Sequence, residues 1–283
     1  MSPEDLRHLA FARKLGSATK YPSIPTYHQE GPRGMLLEEL LTPFPEGSVV
    51  RLEEKLNGWN CRVVLGRGWW AIGSRKDWVA VSAEDSYSSE GGLVEALKPA
   101  VKRIDYDALL AEVCEDVPSS WDPIVTLYVE VYGREGSVKG WQSYGDGSKA
   151  GVRLFDVALT DPLILGWDIE RIASWRQNGG QVFMPSPVVD CVAKVTKIRR
   201  VPLLATIDTR KLPTTVDDMA FMLRYYGTTL ARVTSGGSLV AEGVIMRTLT
   251  RSIIAKAHLA RYERTQRLRA EDKRLAAKKA ARA

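Results

Sequence analysis

From Ser48 to Arg75 apolar and polar positions alternate around Gly58, Gly66-Arg67-Gly68 and Gly73. That two-residue period predicts short antiparallel strands joined by tight turns. The alternation returns at Ile124–Tyr132 and Val152–Val157, which a glycine-rich stretch, Gly133–Gly151, separates as neighbouring strands. Between these sheet-forming regions Leu93, Leu97, Val101, Ile104, Leu109, Leu110 and Val113 recur at helical spacing, which predicts a helix over 93–113 covering the sheet. Further helices are expected at 4–15, 168–177 and 216–225, with strands around Leu239–Arg247 and Ser252–Ala257 after Gly236-Gly237. Pro22 and Pro25 end the first helix and leave an extended arm, because proline removes a donor and restricts its neighbour. From Leu259 the pattern is helical to the end. Strands and helices without strict βαβ alternation imply an α+β fold. No repeat and no long linker interrupts it, so one domain is expected over 1–258, followed by a helical extension over 259–283.

Composition adds limits. A chain of 283 residues, 45% apolar and 26% charged, has the makeup of an ordinary globular protein with a sizeable core. Met1–Gly16 carries Glu4, Asp5, Arg7, Arg13 and Lys14 rather than a continuous apolar run, and no window is long and apolar enough to span a membrane. A soluble, cytoplasmic protein is the expectation. Cys61, Cys114 and Cys191 are odd in number and far apart, and His8, His28 and His258 stand at no zinc-ligand spacing to them. Structural zinc and a disulfide framework are therefore not expected. The formal charge of +6 is concentrated at the end: residues 261–283 hold nine basic against three acidic side chains. Such a helix suits a polyphosphate partner. It equally suits a frayed terminal helix that keeps the chain in solution.

The candidate chemistry centres on Glu54-Lys55-Leu56-Asn57-Gly58-Trp59-Asn60-Cys61-Arg62, where a lysine leaves one strand just before a glycine and the chain enters the next. A lysine amine, which in water titrates at about 10.4, attacks near neutral pH only where nearby cations or desolvation favour the free base. Arg62 and a distant lysine could supply that field. Gly58 permits close backbone approach, to a phosphate for example. A surface lysine before a hairpin glycine would look the same in isolation.

Six elements in order, however, resemble the covalent nucleotidyltransferase superfamily of DNA ligases, RNA ligases and capping enzymes. Lys55-Leu-Asn-Gly58 is similar to the nucleotidyl-lysine motif, and Ser74-Arg75 to the Ser-Arg element that follows it. Leu127–Gly133 resembles the Glu-x-Tyr-Gly strand, and Leu154-Phe155-Asp156-Val157 the Phe-Asp strand. Ala241–Arg247 resembles the Glu-Gly-Val-Val element, and Ile254–His258 the terminal lysine strand. The resemblance covers about residues 20–265. It implies an ATP-grasp-like nucleotidyltransferase domain of antiparallel sheets flanked by helices, with ATP in a cleft between sheets.

The resemblance also implies roles. Lys55 would attack the α-phosphorus of ATP, and Lys256 would contact that phosphate and help to lower the pKa of Lys55. Glu54, Asn60, Arg62, Arg75, Glu130 and Phe155 would bind the nucleotide, Glu130 through the ribose hydroxyls and Phe155 by stacking on adenine. Glu242 and Asp156 would hold Mg²⁺ or Mn²⁺. On the residues alone, Phe155 serves equally well as core, and Glu242 and Lys256 as surface groups; Glu130, flanked by Tyr and Val, would be costly to bury without a partner. Gly58-Trp59-Asn60 and the arm Lys20–Pro25 resemble the nick-sealing RNA-ligase branch. The last motif departs from the family in offering one lysine, Lys256; either Ile254 or His258 takes the other lysine position, and Tyr262-Glu263-Arg264-Thr265 after the strand favours Lys256 first and His258 second. The expected protein is thus a monomeric ATP-dependent RNA ligase, active in RNA repair on 3′-hydroxyl and 5′-phosphate ends of RNA or of mixed RNA/DNA. A capping-type guanylyltransferase or a catalytically silent RNA-binding module are the alternatives.

Overall fold

Among the described residues the alternating segments build a larger antiparallel sheet in each of the two units into which the chain divides, and a separate two-stranded sheet lies in the second unit. The computed structural model describes residues 9–82, 92–114, 121–136 and 140–281. Residues 4–8 of the expected first helix lie outside them. Among the described residues no helix is long and apolar enough to cross a membrane.

The first unit comprises Met1–Ser23, Asn57–Val201 and Arg232–Ser238. Its helices are α1 (Leu9–Ala18), α2 (Leu93–Val101), α3 (Tyr106–Val113), α4 (Ile169–Gln177) and α5 (Ser186–Thr196). Six strands form its sheet in the order β6 (Trp78–Val81), β5 (Trp69–Ser74), β4 (Trp59–Gly66), β7 (Ile124–Tyr132), β8 (Gly151–Thr160), β9 (Val182–Phe183). One face presents Cys61, Val63, Leu65, Leu127, Val129 and Val157 to α2, α3 and α5, each large aliphatic side chain contributing about 1.5–3 kcal/mol by burial. At one end of the other face Val64, Ala71, Val81 and Ile124 pack on Leu15 of α1 and Ile172 of α4. The helix expected over 93–113 is in fact two. Asp105 stops continuation by accepting the backbone N–H groups of Asp107 and Ala108, capping a new start. Helix α5 was not legible as periodicity, although Pro187 near its N-terminus is a start signal.

The second unit comprises Ile24–Leu56, Pro202–Ala231 and Leu239–Ala283. It holds the hairpin β1 (His28–Glu30) and β2 (Leu36–Leu40), and a sheet in the order β10 (Leu203–Asp208), β3 (Val49–Lys55), β11 (Gly243–Thr248), β12 (Ile254–His258). Because side chains alternate along a strand, Val50, Leu52, Val244, Met246, Ala255 and Ala257 face a core completed by α6 (Val216–Tyr225) and α7 (Leu259–Ala280). The opposite face carries Arg51, Glu53, Lys55, Arg247, Lys256 and His258. Glu53 and Arg247 form an ion pair at 3.0 Å, each side chain 1% exposed, and Arg51 lies 3.3 Å from the same carboxylate.

The helix expected over 259–283 is α7, and its first turns pack into this unit. Tyr262 is buried and its hydroxyl meets His28 Nδ1 at 2.7 Å. Thr265 Oγ1 accepts Leu36 N–H, and Arg269 donates to Glu38 at 2.6 Å and to Leu36 O at 3.0 Å. From Ala270 onward every described residue of the helix is exposed, although the helix itself runs on to Ala280.

Candidate active site

In the second unit the site is organised by a glycine. Gly243 pairs with Lys55 on one side and with His258 on the other. A Cβ at Gly243 would stand 2.1 Å from Ala257 O and 3.0 Å from His258 Cα, so only glycine lets β11 begin this close to β12. The residue before it, Glu242, is thereby placed between the two partners. Lys55 Nζ donates to Glu242 Oε2 at 2.6 Å, and His258 Nδ1 lies 3.1 Å from Oε1. Burial alone would raise the Glu242 carboxyl, but the hydrogen bond from His258 and the charge and hydrogen bond of Lys55 outweigh it and hold the group below the ordinary carboxylate value. Lys256 stands on the same sheet face as Lys55 and His258. Its backbone N–H donates to Pro25 O and its carbonyl accepts Tyr27 N–H, which ties the end of the proline-containing arm to this strand.

Glu54 points to the other side of β3. Its carboxylate is 1% exposed, accepts the Thr229 hydroxyl, and accepts Leu230 N–H at 2.8 Å. It fixes the turn after α6 to the strand that ends in Lys55. Sequence reasoning missed Thr229 and Leu230; the only signal was that Glu53 and Glu54, adjacent on a strand, must face opposite ways.

In the first unit β4 and β7 set Asn60 opposite Glu130 and Arg62 opposite Tyr128, all on one sheet face. Gly58 is required by packing: a Cβ there would lie 2.5 Å from Val131 O and 2.8 Å from Glu130 Cγ. The chain can therefore turn tightly against the strand that carries Glu130. Asn57 N–H donates to Tyr144 Oη at 2.6 Å, a contact that nothing in the sequence pattern signalled. The β7–β8 ladder steps from Tyr128↔Asp156 to Val129↔Leu154 and leaves Phe155 in the bulge. Its ring lies edge-on to Tyr21, centroids 5.0 Å apart, and 6.2 Å from Tyr128.

Asp156 is fully buried and accepts the Tyr21 hydroxyl at 2.8 Å. A carboxylate so enclosed does not present open oxygens to a hydrated cation, which leaves Glu242 as the metal-binding candidate of the two. Arg75 is exposed and donates to Ser23 Oγ at 3.1 Å. Arg62 is buried beneath the Trp78 ring, its guanidinium carbon 4.5 Å from the centroid, and burial lowers its pKa from 12.5 to about 10. Among the described residues no group of three or more His, Cys, Asp or Glu could enclose a metal ion. Mg²⁺ does not need such a cage, since it commonly keeps its waters and binds one or two carboxylates plus substrate phosphates. Glu242 fits that requirement.

The model of the RNA ligase family matches residues 48–260 of this chain. The chain belongs to the RNA ligase family. The match takes in β3, β4, β7, β8, β11 and β12, the strands that carry Lys55, Glu130, Lys256 and, at the start of β11, the neighbour of Glu242. Among curated proteins no sequence match is found. Among solved structures, a mutant RNA ligase of Naegleria gruberi with ATP and Mn is similar at 14% identity and a TM-score of 0.51, over 88% of this chain and 62% of that one. The same Naegleria enzyme with PPi gives 14% identity and a TM-score of 0.49, over 86% and 62%. The first of these likenesses supports the α+β fold of an RNA ligase. The chain spans less than two thirds of the length of these structural relatives.

Proposed function

We propose that this member of the RNA ligase family is an ATP-dependent RNA ligase that joins 3′-hydroxyl and 5′-phosphate ends through a lysyl-AMP on Lys55. The observation that carries the reading is the Lys55–Glu242–His258 cluster, in which an amine at a strand end is held 2.6 Å from a largely buried carboxylate inside a ladder fixed by Gly243. In the first step the free amine of Lys55 attacks the α-phosphorus of ATP. A P–N bond forms, the bond to the β-phosphate oxygen breaks, and pyrophosphate leaves. In the second, an oxygen of the RNA 5′-phosphate attacks the same phosphorus, and Lys55 departs as amine, leaving AMP joined to the RNA end through a pyrophosphate bond. In the third, the 3′-hydroxyl attacks the 5′-phosphate, AMP leaves, and a phosphodiester results.

The protein's task in these steps is chiefly to position ends and to stabilise charge. Lys256 and His258, on the same sheet face as Lys55, would supply donors toward the phosphate. Glu130 and Asn60 would hold the ribose side, and Phe155 the base. A hydrated Mg²⁺ or Mn²⁺ on Glu242 would offset charge at the α-phosphate and, by engaging the carboxylate, free the amine from its partner.

The test is intact mass after incubation with ATP and magnesium. A gain equal to AMP, mapped to Lys55 and absent in Lys55→Ala, is the expected result. An adduct formed with GTP in place of ATP would identify a capping-type enzyme, and no adduct with either a silent binding module.

A further inference from the structure

A groove of about 720 Å³ opens in the first unit between α1, the β5–β6 turn and α4, and its walls are basic. Arg13, Lys20, Lys76 and Arg176 line it against two acids, Asp77 and Glu170. Arg176 is fixed by donating to Ser17 O at 2.5 Å and to Ser17 Oγ at 3.1 Å, which joins α4 to α1 across the groove. Arg13, Lys20 and Lys76 have no ion-pair partner among the described residues.

Behind the wall lies Arg62. It is 2% exposed, and its Nη2 would be 3.5 Å from a Cβ on Gly16, a groove residue. Trp78, another groove residue, covers its guanidinium, and its Nε is buried with no hydrogen-bond partner. Among the described residues no carboxylate lies within ion-pair distance of it, and Asp77 of the groove acts on it only through its charge. A buried cation held without a close ion pair is costly, and a negative ligand charge in the groove would offset that cost. The Lys20 pKa is lowered by burial and then by Arg176, Arg75, Arg62 and Lys76, so five cations act on one small space.

We propose that this groove is a binding site for the phosphodiester backbone of an RNA strand, with Arg13, Lys20, Lys76 and Arg176 meeting phosphates and the buried Arg62 raising the positive potential from below. Backbone recognition needs cations at phosphate spacing rather than base-reading groups, and low-dielectric walls strengthen the field in a cleft. The assignment of the anion to RNA rests on the RNA-ligase reading above.

The test uses the full chain and a fluorescently labelled, 5′-phosphorylated single-stranded RNA, with affinity read by anisotropy across a salt series. Arg13→Glu/Lys76→Glu, both exposed positions, should weaken binding at low salt by at least about tenfold and flatten the slope of log K against log salt by about 1.4, two contacts at about 0.7 each for a single strand. Unchanged affinity and slope in a variant that melts like the parent would overturn the proposal. Arg62→Met supplies a second arm: unchanged or raised melting temperature with weaker RNA binding supports a ligand-directed charge, whereas unchanged binding overturns its part. AMP-adduct formation by the unaltered chain is scored separately, so a failed ligase reading and a failed groove give different results.

Discussion

Lys55 and His258 lie on opposite flanks of Gly243 and hold the two oxygens of the same carboxylate, Glu242. The lysine arrives from β3 and the histidine from β12, and their meeting depends on the ladder between them. Glu242→Gln keeps the shape but removes the charge that orients the amine and would hold a cation. The rate of AMP-adduct formation, followed by mass, is expected to fall at least ~100-fold, with the melting temperature little changed because the side chain is 24% exposed. A near-parental rate would remove Glu242 from the chemistry.

Gly243→Ala tests the same arrangement through the backbone. The added methyl would meet Ala257 O at 2.1 Å and must part β11 from β12. A loss of about 1–3 kcal/mol in urea unfolding is expected, together with slowed adduct formation. A normal rate in this variant would mean that the Glu242–His258 contact is dispensable.

Arg247→Met takes one basic partner from the buried Glu53, whose carboxylate also lies 3.3 Å from Arg51. Breaking a buried pair on one side costs about 3 kcal/mol or more, while replacing both partners by apolar groups costs less. The double variant Glu53→Met/Arg247→Met should therefore unfold at higher urea than Arg247→Met. The reverse order would show that the pair is net stabilising beyond its desolvation.

Acid should loosen the docking of α7. His28 is fully buried between Tyr262 Oη, at 2.7 Å from Nδ1, and Thr214 O, at 3.0 Å from Nε2. Burial lowers its pKa below the ordinary histidine value of 6.5, against an opposing contribution from the Thr214 hydrogen bond. The unfolded chain then binds the proton that the native state refuses, so this contribution to stability is present above pH 6.5 and is lost progressively as pH falls toward the native value. Thermal melts from slightly alkaline to mildly acidic pH should show a decline that His28→Gln diminishes. An identical decline in both proteins would place the acid sensitivity elsewhere.

Truncation separates the two halves of α7. A chain ending at Leu259 loses the buried Tyr262 and Thr265 and should fail to fold cooperatively. A chain ending at Lys273 keeps these anchors and Arg269, and should melt close to the parent while losing Arg274, Lys278, Lys279 and Arg282. Circular dichroism melts of the two distinguish anchoring from surface charge.

The strands were legible because alternation is a local signal, and Val49–Lys55, Trp59–Gly66 and Ile124–Tyr132 fall where it predicts them. Helix α3 is a separate helix because one side chain, Asp105, offered the backbone a competing partner where periodicity suggested continuation. The candidate residues were found as types in order, yet their local duties were not: Glu54 is consumed by Thr229 and Leu230, and Asp156 by Tyr21. Such pairings join distant segments, and nothing in either segment alone announces them. The basic groove was hidden for the same reason, since Arg13, Lys76 and Arg176 stand on three separate elements.

The interleaving of the two units, between which the chain passes five times, has a bearing on biosynthesis. Strand β3 emerges from the ribosome early, but both its sheet partners, β10 and β11, are translated only after residue 202. Until then its two edges stay open to wrong pairing. A nascent or prematurely terminated chain thus carries Lys55 without Glu242, the carboxylate it pairs with, and under the proposed function no lysyl-AMP is expected to form until β11 and β12 have been made.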